Sequence, residues 1–168
     1  MPITREEVVA VIDLLEAAGV SVSVAGGCAV DALVGRVTRE HGDLDLAVDT
    51  REIDQTIAAL AAMGYRVDVD ERPARLVLRA GERRVDLHPV RWRADGVGRQ
   101  SNSDGEEYVY PPGSTEAAGR IGDREVRCLT PELLVTFHLG YEPREIDRRD
   151  MALLAERFRF ELPDPYQG

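Results

Sequence analysis

The chain of 168 residues contains no lysine, so its 21 basic residues are all arginine. That absence removes the lysine Schiff base, the lysine nucleophile and the lysine of the phosphate-binding loop. Any phosphate must be held by arginine, backbone amides or a metal. Cysteine is almost as scarce. Cys28 and Cys128 stand far apart without a CxxC spacing, which suggests neither a disulfide framework nor a zinc site. No apolar run approaches the roughly 20 residues that span a bilayer, and the opening Met-Pro-Ile-Thr-Arg-Glu-Glu is charged rather than basic then apolar. A soluble cytoplasmic protein without a membrane partner is expected. Positive charge is also short: 31 acids give a net charge of −10. This argues against a protein that grips a nucleic-acid backbone and suits cationic small substrates.

What remains is enough for a core, since 43% of the residues are hydrophobic. Thr4-Arg5-Glu6-Glu7 forms a capping box ahead of a helix that stops at Gly19. Val20 to Ala25 predicts a strand, and Gly26-Gly27 turns the chain into a helix from about Cys28 to Val34. Asp43 to Val48 predicts a second strand, followed by a helix capped by Thr50 and running to Met63. Residues 66–70, 75–79 and 84–88 alternate as three strands of an antiparallel extension. Residues 91–117 are rich in Gly, Asn, Asp and Pro and are expected to be a long loop of the kind that binds ligands. A hairpin is expected at Gly122-Asp123, a helix from Thr130-Pro131 to Gly140, and a last helix from about Ile146 to Phe158. Residues 1–128 would form the main domain, and 129–168 a helical extension packed on it or continuous with it.

The chemistry concentrates at Arg39-Glu-His41-Gly-Asp43-Leu-Asp45. A strand alternates its side chains with period two, so Asp43 and Asp45 share one face while Leu44, Leu46 and Val48 share the other. Two carboxylates about 6–7 Å apart along a strand repel unless a cation lies between them, and a divalent metal is the natural candidate. The strand at 84–88 sets Asp86 and His88 opposite Val85 and Leu87, which offers a third acid. Three carboxylates suit magnesium, and Asp86 is the best candidate for a general base on a hydroxyl. Gly26 and Gly27 allow close approach of a ligand to a helix N-terminus, where free N–H groups meet phosphate oxygens. Arg39 and His41 could reach the same phosphates. A DxD strand alone is an ordinary solvated surface. Its order after Gly-Gly and before Asp-x-His is what points to a site. His88 reads equally as a substrate contact or a packed histidine. His138 and Tyr141 read first as helix-end packing, and Asp147 and Asp150 as complements to a helix dipole that can also attract a cationic substrate.

These residues resemble the nucleotidyltransferase superfamily, and within it the small antibiotic-modifying members. Ala25-Gly26-Gly27-Cys28-Ala29-Val30-Asp31 and Gly35 to Asp45 match the pattern of aminoglycoside 2''-adenylyltransferases and lincosamide nucleotidyltransferases. Val85-Asp86-Leu87-His88-Pro89-Val90, Phe137-His138-Leu139-Gly140-Tyr141 and the following Asp147 and Asp150 look more like the short lincosamide enzymes. The resemblance implies an α+β fold, a mixed sheet flanked by helices with a small C-terminal helical cap. It implies Asp43, Asp45 and Asp86 as Mg2+ ligands, with Asp86 as ligand or base. Gly26, Gly27 and Arg39 would hold the triphosphate of ATP or another nucleoside triphosphate. Beside that implication, the residue reading keeps His41 as a candidate phosphate contact and His88, Tyr141 and Asp147 as candidate substrate contacts. The reaction would place a nucleoside monophosphate on a hydroxyl of a cationic antibiotic. Other readings are a nucleotidyltransferase acting on protein or RNA, and a catalytically silent nucleotide-binding module. A homodimer is expected, because so small a chain has little room to enclose nucleotide and drug. Cys28 stands where the family often carries Trp.

Overall fold

The computed structural model describes residues 1–167. Its elements run α1 (Arg5–Ala17), β1 (Val22–Ala25), α2 (Gly26–Val34), β2 (Leu44–Asp49), α3 (Ile53–Ala61), β3 (Arg66–Glu71), β4 (Arg75–Ala80) and β5 (Arg83–Trp92). They continue with β6 (Gly98–Ser101), β7 (Glu107–Tyr110), β8 (Ala117–Ile121), β9 (Arg124–Cys128), α4 (Pro131–Phe137) and α5 (Glu145–Phe158). The main sheet has the order β3-β4-β5-β2-β1-β9-β8, and the β6-β7 hairpin pairs with the far end of β5. β2 and β5 are parallel, as are β1 and β9, while the other pairs are antiparallel, so this is a mixed α+β sheet flanked by five helices.

The expected alternation is realised. Leu44, Leu46, Leu76, Leu78, Val85 and Leu87 are all fully buried on one face of β2, β4 and β5. Leu46 pairs with Leu87 across the parallel strands, and Asp45 pairs with Asp86 on the reverse face. Burial of these aliphatic residues therefore fixes the register that brings the acids together. Helix α1 opens with the full capping box, Glu7 N–H to Thr4 Oγ1 at 3.2 Å and Thr4 N–H to Glu7 Oε2 at 2.8 Å. Leu133, Leu134, Met151 and Leu154 from the two C-terminal helices share one core with the sheet.

Some expectations are corrected. Gly26 and Gly27 do not precede α2 but form its first turn, with Gly26 at φ +57°. Thr50 does not cap a helix. The Asp49 carboxylate accepts from Arg51 N–H and caps a short 3-10 turn, Thr50–Glu52, before α3. Residues 91–117 are not one loop, because they contain the end of β5 and the whole β6-β7 hairpin. Helix α4 ends at Phe137 rather than Gly140, and the His138 ring closes it against the Leu134 carbonyl at 2.6 Å.

Candidate active site

The alternation of β5 places Arg84, Asp86 and His88 on one face. The Arg84 guanidinium donates to both oxygens of Asp86, Nε to Oδ1 at 2.7 Å and Nη2 to Oδ2 at 2.6 Å. Its Nη1 lies 3.8 Å from Asp43 Oδ2. His88 Nε2 lies 2.8 Å from Asp45 Oδ1. Arg84 thus sets a fixed positive charge between Asp43 and Asp86, and the His88 ring is a hydrogen-bond partner of Asp45. Sequence reading missed Arg84, although the rule that found Asp86 also selects it. Among the described residues, no three His, Cys, Asp or Glu side chains already converge as a cage for an ion.

Burial pushes the Asp43 carboxyl above its usual range, and the charges of Asp45 and Asp86 push it further, against Arg84 and His41. Three hard-oxygen donors whose mutual repulsion is incompletely balanced fit a magnesium-like cation. At His88, burial disfavours the charged ring, but the hydrogen bond to Asp45 and the charges of Asp45 and Asp86 prevail and raise the pKa.

The α2 N-terminus completes the floor. A Cβ at Gly26 would meet Asp45 Oδ2, and one at Gly27 would meet Arg39 Nη2 and the His41 ring. Both glycines are thus sites of close approach, and Arg39 and His41 border the helix start. Each is already held by a buried acid. Arg39 donates Nε to Asp150 Oδ1 at 3.2 Å and Nη2 to Asp150 Oδ2 at 2.8 Å. His41 Nε2 sits 2.7 Å from Asp31 Oδ2, while Thr38 donates N–H and Oγ1–H to Asp31 Oδ1 at 3.1 and 2.5 Å. Asp150 is thereby the orienting partner of Arg39, and not free to attract a cationic drug. Cys28 points its thiol at the Asp43 carbonyl, 3.5 Å away, and burial pushes its pKa far up, which makes it a packing residue rather than a nucleophile.

Beside Asp45 and His88 opens a cleft of about 210 Å3, walled by Tyr108, Tyr110, Leu134, Phe137 and His138. The Phe137 ring centroid lies 4.9 Å from that of Tyr110 and 5.3 Å from that of Tyr108, so α4 and the β6-β7 hairpin share an aromatic wall. The polar Gln100 lines it too. Tyr141 and Asp147 do not line this cleft. Tyr141 is half exposed, its pKa pushed up to about 12 by burial and by Asp147. Asp147 is buried and takes both Nε and Nη2 of Arg144 at 2.9 Å. A larger apolar cavity of about 320 Å3, lined in part by Ile3, Val8, Ala32 and Val37, does not reach Asp43, Asp45 or Asp86.

The paired acids predict a pH response. Burial raises the Asp31 pKa, but hydrogen bonds from His41 and Thr38 prevail and depress it, and Arg144 depresses that of Asp147. A depressed carboxyl contributes stability that is present above its unfolded pKa and lost as pH falls through the folded value. Asp43, with its raised pKa, works in the opposite sense. The melting temperature is expected to fall below about pH 4, and Asp31→Asn to flatten part of that fall in a calorimetric pH series.

Residues 7–154 match the family model described as aminoglycoside-2''-adenylyltransferase. The chain is 32% identical over 150 residues to a lincosamide resistance protein of Staphylococcus haemolyticus, covering 89% of this chain and 92% of that one. A 2''-aminoglycoside nucleotidyltransferase of Escherichia coli is 32% identical over 120 residues, covering 70% of this chain and 63% of the relative. Among solved structures, the lincosamide antibiotic adenylyltransferase LnuA bound to lincomycin superposes with a TM-score of 0.81 at 30% identity, over 94% of this chain and 99% of that one. ANT(2")-Ia in complex with adenylyl-2"-tobramycin gives 0.73 at 23% identity, over 92% and 88% of the two chains, a likeness of fold.

Proposed function

The chain belongs to the aminoglycoside-2''-adenylyltransferase family of antibiotic-modifying nucleotidyltransferases, and from that premise we propose that it transfers a nucleoside monophosphate from a nucleoside triphosphate to a hydroxyl of a cationic antibiotic, releasing pyrophosphate. The observation that carries this reading is the register of Asp45 beside Asp86 above Gly26, which sets two acids and a helix N-terminus around one point.

Asp43, Asp45 and Asp86 would hold Mg2+, which when bound neutralises the triphosphate and makes its α-phosphorus a better electrophile. The free N–H groups of α2, with Arg39 and His41, would seat the phosphates. Asp86 would accept the proton of the attacking hydroxyl on a carboxylate oxygen. To do so it exchanges one of its two Arg84 hydrogen bonds for that hydroxyl. The new oxygen–phosphorus bond forms as the bond to the β-phosphate oxygen breaks, and pyrophosphate leaves with the electron pair. The protein contributes mainly orientation and preorganised charge.

A lincosamide-like acceptor fits the cleft better than a polycationic aminoglycoside. Its walls are mostly aromatic and aliphatic, and among the described residues Asp45 is the one carboxylate that lines it. An amphiphile with a single amine loses less there than a molecule with several charges to desolvate. A homodimer acting in the cytoplasm is the assembly we favour. Among the described strands β7 pairs only with β6, and it leaves Tyr108 and Val109 exposed beside the cleft. Sedimentation showing only monomer at high concentration would remove that assembly.

The test mixes the protein with Mg2+, each of ATP, GTP, CTP and UTP, and a panel of lincosamides and aminoglycosides. Pyrophosphate release and a drug heavier by one nucleoside monophosphate are expected, with lincosamides the better acceptors. Nucleotide mass on protein or RNA instead of drug, or no pyrophosphate with any drug, would overturn the reading.

A further inference from the structure

Gln100 lies on β6, 6% exposed, in a segment with no recognisable site motif. Its Nε2 donates to the Ala74 carbonyl at 3.0 Å and lies 3.1 Å from His88 Nδ1, while the Tyr110 hydroxyl donates to its Oε1 at 2.6 Å. These contacts fix one another. A backbone carbonyl can only accept, so the NH2 end of the amide must face Ala74. The same NH2 then faces His88 Nδ1, which must present a lone pair. The ring proton is left on Nε2, aimed at Asp45 Oδ1 2.8 Å away. The Tyr110 hydroxyl donates to the other end of the amide and holds it in place against the Ala74 carbonyl.

We propose that Gln100 is a positioning residue for Asp45, acting through the ring of His88, with Tyr110 as its clamp. The inference rests on the proposed role of Asp45 as a metal-holding carboxylate. Gln100 sets which nitrogen of His88 donates, His88 engages Oδ1, and Oδ2 is left on the Gly26 side of the site. Partners of this kind, one step removed from a ligand carboxylate, govern its orientation and hence its affinity for a metal.

Two variants test this. Gln100→Met removes the amide at nearly constant volume, and Tyr110→Phe removes only the clamp. In mildly alkaline buffer, nitrogen NMR of the metal-free wild-type protein is expected to show His88 with an unprotonated, hydrogen-bonded Nδ1 and a proton on Nε2. Gln100→Met should lose that hydrogen-bonded signature. Mn2+ binding, followed by electron paramagnetic resonance, should weaken at least about tenfold in Gln100→Met, and less but in the same direction in Tyr110→Phe. A wild-type ring protonated on Nδ1 alone, or unchanged Mn2+ affinity in both variants, overturns the proposal. So does a Gln100→Met enzyme with wild-type Mn2+ affinity and a raised KM for the drug, which would make Gln100 a wall of the cleft and nothing more. A wild-type protein that modifies no drug sinks the proposed activity, whereas the ring signature and the Mn2+ titration still decide the role of Gln100.

Discussion

Asp45→Asn is expected to slow nucleotidyl transfer by about 10^3-fold while the protein stays folded. Asp45 is the acid held from both sides: His88 Nε2 reaches Oδ1 at 2.8 Å, and Oδ2 lies against Gly26. An amide must turn its NH2 either toward the ring N–H of His88 or toward the place of the cation, and both lose the interaction. Stability responds differently. Asp43 titrates above its usual range through burial and then the charges of Asp45 and Asp86, so its ionisation costs stability at neutral pH. Removing the Asp45 charge relieves part of that repulsion and weakens one hydrogen bond. The net change in unfolding free energy is expected to be within about 1 kcal/mol. Single-turnover kinetics and circular-dichroism melting check the two halves, and an Asn variant with undiminished turnover would remove the metal assignment.

Gly26→Ala should damage both rate and fold. At φ +57° an alanine is strained, and its Cβ would strike Asp45 Oδ2 and lie 3.0 Å from Asp45 Cγ. The left-handed backbone costs about 1–2 kcal/mol, which for a chain of this size lowers the melting temperature by about 2–8 °C. A carboxylate pushed aside by a fraction of an ångström to an ångström is expected to lower kcat by about 10^2-fold. Gly27→Ala separates the two halves of the floor, because its Cβ would meet Arg39 and His41 rather than Asp45. Its effect should fall on the KM for the triphosphate. A Gly27→Ala enzyme whose loss lies wholly in kcat would contradict that division.

The sequence made the acidic face legible because burial enforces alternation. Leu44, Leu46, Val85 and Leu87 had to point inward, so Asp45, Asp86 and His88 had to point outward together. The capping box was legible for an equally local reason. The β6-β7 hairpin was not. Gly98-Arg-Gln-Ser101 and Glu107-Tyr-Val-Tyr110 are four-residue strands without a clear apolar pattern, and they become strands by pairing with the end of β5 and with each other. Gln100 was hidden with them. The partners of Arg39 and His41 escaped for another reason. Asp150 lies 111 residues from Arg39 and Asp31 lies ten from His41, distances at which no spacing rule applies. A Thr50 cap was a reasonable expectation, but the Asp49 carboxylate is the stronger acceptor and sits one residue earlier.

Strand β5 runs ten residues from Arg83 to Trp92, and its two ends serve different tasks. Residues Val85 to Val90 pair with β2 and include Asp86 and His88, while Arg91 and Trp92 pair with Arg99 and Gly98 of the hairpin. The hairpin's share of the aromatic wall is therefore an appendage hung on the strand that carries the acid. Grafting a foreign hairpin between Trp92 and Pro111 is expected to exchange the drug accepted. For such a chimera to keep its chemistry, the graft must restore the amide at position 100 and the hydroxyl at position 110 that clamps it.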